Sequence, residues 1–213
     1  AAKHLHAAGY QLILTTHFAN ADDRNHPLNA VQIQRFKDML ATLKETVSND
    51  VKGSLCNSAG VVNFSDHHYD WVRPGIILYG SAPVIDKSAQ ELDLQPAMSF
   101  SAQIIALQTV SANDAIGYGS RWIAQKDTET ALVSIGYGDG YPRVVSEDAY
   151  VSVIDSTNNR SYPCAVLGRV AMDMIVIDIS NAPESLAIDS KVMLWGDAPR
   201  VDEVASHAGT ISY

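Results

Sequence analysis

A tyrosine set among glycines is the first candidate for chemistry in this chain. The segment from Ile135 to Arg143 reads IGYGDGYPR and follows a β-rich run that begins at Thr130. Glycine permits positive φ and close backbone approach, so the segment predicts a tight loop at a strand end. Tyr137 has little side-chain packing beside it, and its hydroxyl can be presented to a ligand. From this segment alone, a plain strand-to-turn corner with a half-buried tyrosine is the favoured interpretation.

Two further loops carry polar groups directly after short apolar strand candidates. They are Asn57-Ser58-Ala59-Gly60 and Arg73-Pro74-Gly75-Ile76. The carboxyl ends of parallel strands meet on one rim, so both loops should lie together. A serine hydroxyl with neighbouring backbone amides can cradle a phosphate, and an arginine can bind an anion or face an acceptor nitrogen. The alternative is loop capping by Ser58 and a surface ion pair by Arg73, which each motif alone favours.

Three more residues are candidates for a function: His17, Arg169 and Asp173. His17 follows the first strand candidate, where a lone histidine is more often packed or solvent-facing, and no His, Cys or Asp spacing predicts a metal site. Arg169 and Asp173 interrupt an apolar pattern that resembles a strand. Charges inside a strand need a partner or a ligand, so we weigh equally a functional role and an edge strand with the two residues paired.

Composition narrows the function classes. The chain has 213 residues, 46% hydrophobic and 18% charged, with a net charge of −9. This acidic balance, without a basic tract, argues against nucleic acid or an anionic membrane as partner. Cys56 and Cys164 lie far apart in apolar contexts, which predicts free thiols and a reducing, cytoplasmic location. No apolar run reaches membrane-spanning length, and the non-methionine start gives little weight to the lack of a signal peptide.

The elements that position these loops change character along the chain. Strand, polar loop and helix alternate up to about residue 85, with a long amphipathic helix at 28–47, a short helix at 64–69 and a strand at 72–80. A polar linker at 86–95 then precedes strands and turns only, up to Trp195, and a short helix at 201–207. The later strand candidates are 98–110, 130–135, 149–154, 162–167, 172–179 and 191–194. We therefore predict an α/β chain: the C-terminal part of a (β/α)8 barrel in residues 1–85, followed by an antiparallel β domain in 86–213. Both ends look cut, so we expect a fragment.

With these segments assembled, the chain resembles the alanine racemase family of pyridoxal-phosphate enzymes, which have a barrel and a C-terminal β domain. The matches occur in family order and span nearly the whole chain. The matching stretches are THFA with Asp22, NSA at 57–59, RPGI at 73–76, LYG at 78–80, IGYG at 116–119, GYGDGYPR at 136–143, GRV at 168–170 and Met172-Asp173.

The resemblance implies a role for each matching position. Tyr137 matches the catalytic tyrosine, one of two acid/base groups, and Met172 a residue whose backbone meets the substrate carboxylate. Arg73 matches the arginine that faces the pyridine nitrogen. The remaining cofactor-side matches are Asn57, Ser58, Gly75, Ile76, the terminal Tyr213, and His17. Matches to residues of the entrance and its surroundings are Asp22, Arg169 and Asp173. The resemblance also implies pyridoxal 5'-phosphate, alanine as substrate for cell-wall precursor supply, and a homodimer with shared active sites.

The departures from the family pattern concern the second base. The family uses a lysine that also binds the cofactor covalently, and none of the seven lysines here sits in a matching motif. We therefore expect this chain alone to attach no cofactor covalently and to show no useful turnover. Gly138 stands where the family commonly has alanine. Two alternatives stay open: a serine or broad-specificity racemase of the same fold, and a non-catalytic cofactor-binding or dimerisation module.

Overall fold

A computed structural model describes residues 1–155 and 157–212. The chain forms two compact units, Ala1–Gln95 and Pro96–Tyr213. The segment 86–95, which the sequence interpretation assigned to the second domain as a linker, is thus included in the first unit.

The first unit is a parallel three-stranded sheet with helices between its strands, in the order β1-β2-β3. Strand, helix and strand follow each other as the alternating pattern predicts. Its elements are α1 (Ala2–Ala7), β1 (Ile13–Thr15), α2 (Leu28–Thr46), β2 (Lys52–Asn57), α3 (Ser58–Asn63) and β3 (Trp71–Arg73), with short 3-10 turns at Ser65–His67 and Ile76–Tyr79.

Helix α2 supplies one wall of the first unit's core. Ile33, Phe36 and Leu40 recur at helical spacing and are buried together with Leu55 of β2. The predicted helix at 28–47 is confirmed within one residue. Not all of its apolar residues are buried, however: Met39 is 52% exposed because it lies beside the buried stripe.

Two local predictions for the first unit were wrong, and one helix was missed. The strand expected at 72–80 ends at Arg73, where Pro74 offers no backbone donor to continue the ladder. The helix expected at 64–69 is a single 3-10 turn, Ser65–His67. Helix α3 was not predicted, because its short sequence SAGVVN carries no clear period.

The second unit is a closed six-stranded antiparallel barrel with the order β10-β7-β4-β11-β8-β9. Its strands are β4 (Phe100–Val110), β7 (Thr128–Val133), β8 (Tyr150–Ile154), β9 (Ser161–Leu167), β10 (Ile175–Asp178) and β11 (Lys191–Trp195). A hairpin of β5 (Ala115–Ile116) and β6 (Trp122–Ile123) interrupts the barrel order along the chain, and α4 (Val201–Ala208) follows β11. The fold class predicted from sequence, late barrel units followed by an antiparallel β domain, is confirmed.

Alternating apolar residues fill the barrel interior. Ile175 and Ile177 of β10 and Val192 and Leu194 of β11 are almost fully buried, as the two-residue period of a strand requires. Closure pairs every strand on both sides, so the barrel leaves no free strand edge.

Both cysteines are buried and free. Burial raises the pKa of each thiol to about 11; at Cys56 the nearby positive charge of Arg73 acts in the opposite direction but is outweighed. In the described part of the chain, no helix combines the length and apolar character that crossing a bilayer requires.

Candidate functional site

The first unit gathers its polar residues at one edge of the parallel sheet. Strands β1, β2 and β3 end at Thr15, Asn57 and Arg73, and Asn57 is paired in register with Arg73. Since the three strands run in the same direction, their carboxyl ends share this edge. The predicted common rim for the loops after β2 and β3 is confirmed.

Arg73 is held at this rim by hydrogen bonds within the first unit. Its Nη1 donates to Ser54 Oγ (2.5 Å), and its Nη2 donates to the carbonyl oxygens of Thr16 (2.6 Å) and Leu55 (3.5 Å). A guanidinium has five N–H donors, so two have no partner among the described residues. The surface ion pair considered for Arg73 is absent among the described residues, where the ion pair of this unit joins Lys52 to Asp70 at 3.4 Å.

Ser54 is a site residue that the sequence interpretation missed. It is 3% exposed, on a strand whose neighbouring side chains are buried, and it accepts the hydrogen bond from Arg73. A small hydroxyl inside a buried strand was the available signal, because such a group must find a polar partner.

Ser58 and Gly75 meet across the loops that follow β2 and β3. The Gly75 amide donates to Ser58 Oγ at 2.7 Å. A Cβ added at Gly75 would meet only that same oxygen, at 3.9 Å, so the backbone there lies open. Ile76 starts the 3-10 turn that follows. A hydroxyl and an amide in this arrangement are groups that can receive a phosphate.

Asn57, rather than Ser58, caps helix α3. Its side-chain oxygen accepts from the Gly60 amide at 2.9 Å, and its Nδ2 lies 3.2 Å from His17 Nε2. The capping role considered for Ser58 was therefore wrong, and the Ser58 hydroxyl faces Gly75 instead. His17 joins the rim through Asn57. Asp22 is exposed, and no hydrogen bond or ion pair joins its carboxylate to the rim among the described residues. Tyr213 lies outside the described residues.

Tyr137 stands on a tight 3-10 turn, Tyr137–Asp139, as the glycine spacing predicts. The Asp139 carboxylate accepts a hydrogen bond from the Gly136 amide at 2.9 Å, and Gly140 closes the turn with φ +105°. Tyr141 is 2% exposed, and burial raises its pKa to about 12. The buried Tyr141 anchors the loop, while Tyr137 stays half-exposed.

This turn is docked on the segment that contains Met172. The Tyr137 amide donates to the Ala171 carbonyl at 3.0 Å, and the Gly138 amide donates to the Met172 carbonyl at 2.8 Å. A Cβ at Gly136 would lie 2.4 Å from Ala171 O, a contact that real Cβ atoms do not make. Glycine is therefore required for this approach, which brings Tyr137 and Met172 together.

Arg169, Met172 and Asp173 lie in the connection between β9 and β10, not inside a strand. The strand expected at 172–179 begins only at Ile175, and no ion pair joins Arg169 to Asp173 among the described residues. The paired edge-strand interpretation was wrong. Instead, Arg169 lies against the β5–β6 hairpin: a Cβ at Gly119 would be 3.7 Å from its Cζ. The adjacent Tyr118 is 73% exposed.

Each unit thus carries its own set of reactive groups. The first offers a fixed guanidinium, a hydroxyl and a backbone amide; the second offers a phenol beside an exposed backbone segment. Within the described residues, no group of three or more His, Cys, Asp or Glu side chains is placed to hold a metal ion.

Both units match domains of one known protein family. Residues 97–213 match the family described as alanine racemase, C-terminal domain, and residues 1–83 match alanine racemase, N-terminal domain. The alanine racemase of Psychrobacter sp. is 55% identical over 210 residues, which are 97% of this chain and 56% of that protein. The chain therefore spans about half the length of the curated relatives it matches.

Solved structures of alanine racemases also match this chain. That of alanine racemase from Acinetobacter baumannii matches 100% of this chain and 56% of its own, with 43% identity and a TM-score of 0.87. The alanine racemase of Bartonella henselae, described with covalently bound pyridoxal phosphate, has 28% identity and a TM-score of 0.77 over 94% of this chain and 52% of its own. Since the two family matches cover nearly all of it, in the order of its two compact units, this chain belongs to the alanine racemase family.

Proposed function

We propose that the whole protein is an alanine racemase that uses pyridoxal 5'-phosphate to interconvert L-alanine and D-alanine. The observation that carries the proposal is the docking of the Tyr137 turn on the Ala171–Met172 backbone. It brings the backbone of Tyr137, the residue that matches the family's catalytic tyrosine, beside the backbone that matches the family's substrate-carboxylate contact.

The cofactor's phosphate has a fitting receptor in the first unit. Ser58 Oγ and the Gly75 amide lie 2.7 Å apart at the rim, with open space at Gly75. The Ser58 hydroxyl has its own proton to donate to a phosphate oxygen, and the Gly75 amide can donate to one once it releases its hydrogen bond to Ser58 Oγ. We assign these two residues and Ile76 to the phosphate, with Asn57 and His17 supporting the rim and Tyr213 as a further phosphate contact.

Arg73 fits the cofactor's ring nitrogen. Ser54 and the carbonyls of Thr16 and Leu55 fix its guanidinium and leave two N–H donors without a described partner. A guanidinium stays protonated, so it donates to an acceptor nitrogen without transferring a proton to it. When bound, pyridoxal phosphate withdraws electrons from the substrate's Cα and so acidifies its proton. An arginine at the ring limits that withdrawal, which favours a short-lived carbanion and few side reactions.

Racemisation requires a proton to leave Cα on one face and to return on the other. A single base cannot easily serve both faces, so two groups are needed. We assign one face to the Tyr137 hydroxyl, while the Met172 backbone orients the substrate carboxylate. Arg169, Asp173 and Asp22 are assigned to the entrance. The second base, a lysine that binds the cofactor, has no motif match among residues 1–213.

The same proposal extends to the oligomeric state of the protein and to its cellular location. We infer a homodimer in which the Tyr137 turn of one subunit completes the active site of the other, as the resemblance to the family implies. Residues 1–85 are assigned to the late part of the cofactor-binding barrel. The segment 86–95 is packed with them, and the β domain begins at Pro96. A cytoplasmic role in supplying D-alanine for peptidoglycan follows.

Racemisation by the full-length protein, the entire polypeptide its gene encodes, tests the proposal. Chiral chromatography would follow L-alanine and L-serine, with Tyr137→Phe as the variant. Tyr162→Phe is the matched control, since Tyr162 lies on β9 in the same unit. We expect Tyr137→Phe to abolish racemisation while the cofactor's absorbance persists, and the control to stay active. Faster conversion of serine would favour the broad-specificity alternative, and full activity of Tyr137→Phe would end the proposal.

A further inference from the structure

Arg143 lies over the ring of Tyr137. Its Cζ is 5.3 Å from the ring centroid, within the range of a cation–π interaction. The local chain explains this position. Tyr141 is buried and its amide donates to the Gly136 carbonyl at 3.2 Å, so the chain folds back on the turn before Pro142 leads into Arg143.

The guanidinium has no competing ion pair among the described residues. The two carboxylates nearest to it in sequence are four residues away on either side. Asp139 accepts the hydrogen bond of the Gly136 amide at 2.9 Å, and Glu147 forms no ion pair among the described residues. The ion pair found in the described chain, Lys52–Asp70, lies in the other unit. The ring of Tyr137 is thus the contact that the structure gives to the Arg143 head group.

The ring of Tyr137 packs in part against the buried apolar cluster of the barrel. Hydrogen bonds to Ala171 and Met172 hold the Tyr137 and Gly138 amides, but the ring still turns about two side-chain torsions. The flanking Gly136 and Gly138 add no side chains to that packing, whereas Arg143 adds a cation–π contact. A planar guanidinium on one face restricts those torsions and leaves the hydroxyl free at the ring's edge.

We propose that Arg143 is a positioning residue for Tyr137, setting the orientation in which the hydroxyl meets the substrate. This rests on the proposed function, in which Tyr137 exchanges a proton with Cα. A partly exposed cation–π contact corresponds to roughly a two- to fivefold change in the population of the correct orientation. We expect the same fold loss in kcat for Arg143→Met, with KM nearly unchanged, because Arg143 does not itself touch the substrate.

Three variants of Arg143 and one matched control test the proposal in the full-length protein. Arg143→Lys keeps a cation and should retain more kcat than Arg143→Met. Arg143→Ala leaves room for free guanidinium, which should restore kcat at concentrations that do not unfold the protein, whereas sodium chloride at equal ionic strength should not. Arg160→Met makes the same replacement at an exposed turn of the same unit and should keep wild-type kcat. A merely structural role would show no rescue by guanidinium.

An NMR measurement distinguishes a failure of the positioning role from a failure of the proposed function. With ring-labelled tyrosine, the NMR signal that is absent in Tyr137→Phe identifies Tyr137, and that signal should shift in Arg143→Met but not in Arg160→Met. Inactive wild-type protein would overturn the proposed function without affecting this measurement. An unmoved Tyr137 signal, or full kcat in Arg143→Met, would overturn the positioning role.

Discussion

Replacing Gly136 with alanine tests the docking on which the candidate site depends. Gly136 has φ −147° and ψ −164°, extended backbone that alanine adopts freely, so no conformational strain is introduced. The added Cβ would lie 2.4 Å from Ala171 O and Met172 C and 2.5 Å from Asp173 N. All three are backbone atoms, so neither side can move a side chain away, and the two segments must separate.

Separating the two segments costs free energy through broken hydrogen bonds and through crowding. Two backbone hydrogen bonds join the segments, Tyr137 N to Ala171 O and Gly138 N to Met172 O, each contributing about 0.5–1.5 kcal/mol. Forcing a methyl group into a packed site adds about 1–3 kcal/mol. The sum is about 2–6 kcal/mol, which for a chain of this size lowers the melting temperature by at least about 4 °C. A displacement of about 1 Å at Tyr137 would also reduce kcat roughly a hundredfold.

Alanine substitutions at the neighbouring Gly138 and Gly140 should have smaller effects than Gly136→Ala. At Gly138 the nearest backbone contact of a new Cβ is 2.9 Å, to Met172 O, so Gly138→Ala needs a smaller shift. Gly140→Ala meets nothing within 4 Å and carries only the strain of its φ of +105°. Thermal unfolding and racemisation of all three variants in the full-length protein should rank Gly136→Ala as the most damaging in activity. Wild-type activity and melting in Gly136→Ala would refute the close approach.

Further predictions concern the other unit and the thiols. Ser54→Ala should weaken pyridoxal-phosphate binding about tenfold or more in an absorbance titration, because a charged donor of Arg73 loses its buried partner; Ser161→Ala, at an exposed strand position, should bind as wild type. Cys56 and Cys164 should resist a disulfide reagent at pH 8 until the protein unfolds. Burial raises the pKa of both thiols to about 11, so their stabilising contribution is complete below the unfolded pKa and declines between about pH 9 and 11; a double alanine variant should lose this decline in urea titrations. Residues 1–213 alone, mixed with pyridoxal phosphate and reduced with borohydride, should form no stoichiometric adduct by mass spectrometry.

Local sequence signals predicted the turns and the long helix. The glycines around Tyr137 and the buried stripe of α2 act within a few residues, so period and spacing suffice. Barrel closure was not predictable in the same way, since it depends on β10 pairing with β9 and β7 at once, across some forty residues of chain. Strand positions were found, but the neighbours of each strand were not.

One error shows how a local pattern misleads. Apolar residues continue past Leu167 through Val170, so periodicity alone extends the strand region across Arg169 to Met172. Gly168 ends it: its φ is +72°, and a Cβ there would lie 2.9 Å from Ile116 O. The glycine was visible in the sequence, but the hairpin that approaches it, some fifty residues earlier, was not.

The hydrogen-bond partners of the site residues were missed for one physical reason. Both groups of reactive side chains are held largely by main-chain atoms: Arg73 by the carbonyls of Thr16 and Leu55, and the Tyr137 turn by those of Ala171 and Met172. A carbonyl places no demand on the residue type that carries it. The sequence therefore indicates the donors and the glycines that allow close approach. The residues whose carbonyls accept these hydrogen bonds leave no recognisable sequence pattern. Met172, 61% exposed, holds the turn through its carbonyl, so a leucine there should preserve the docking that alanine at Gly136 destroys.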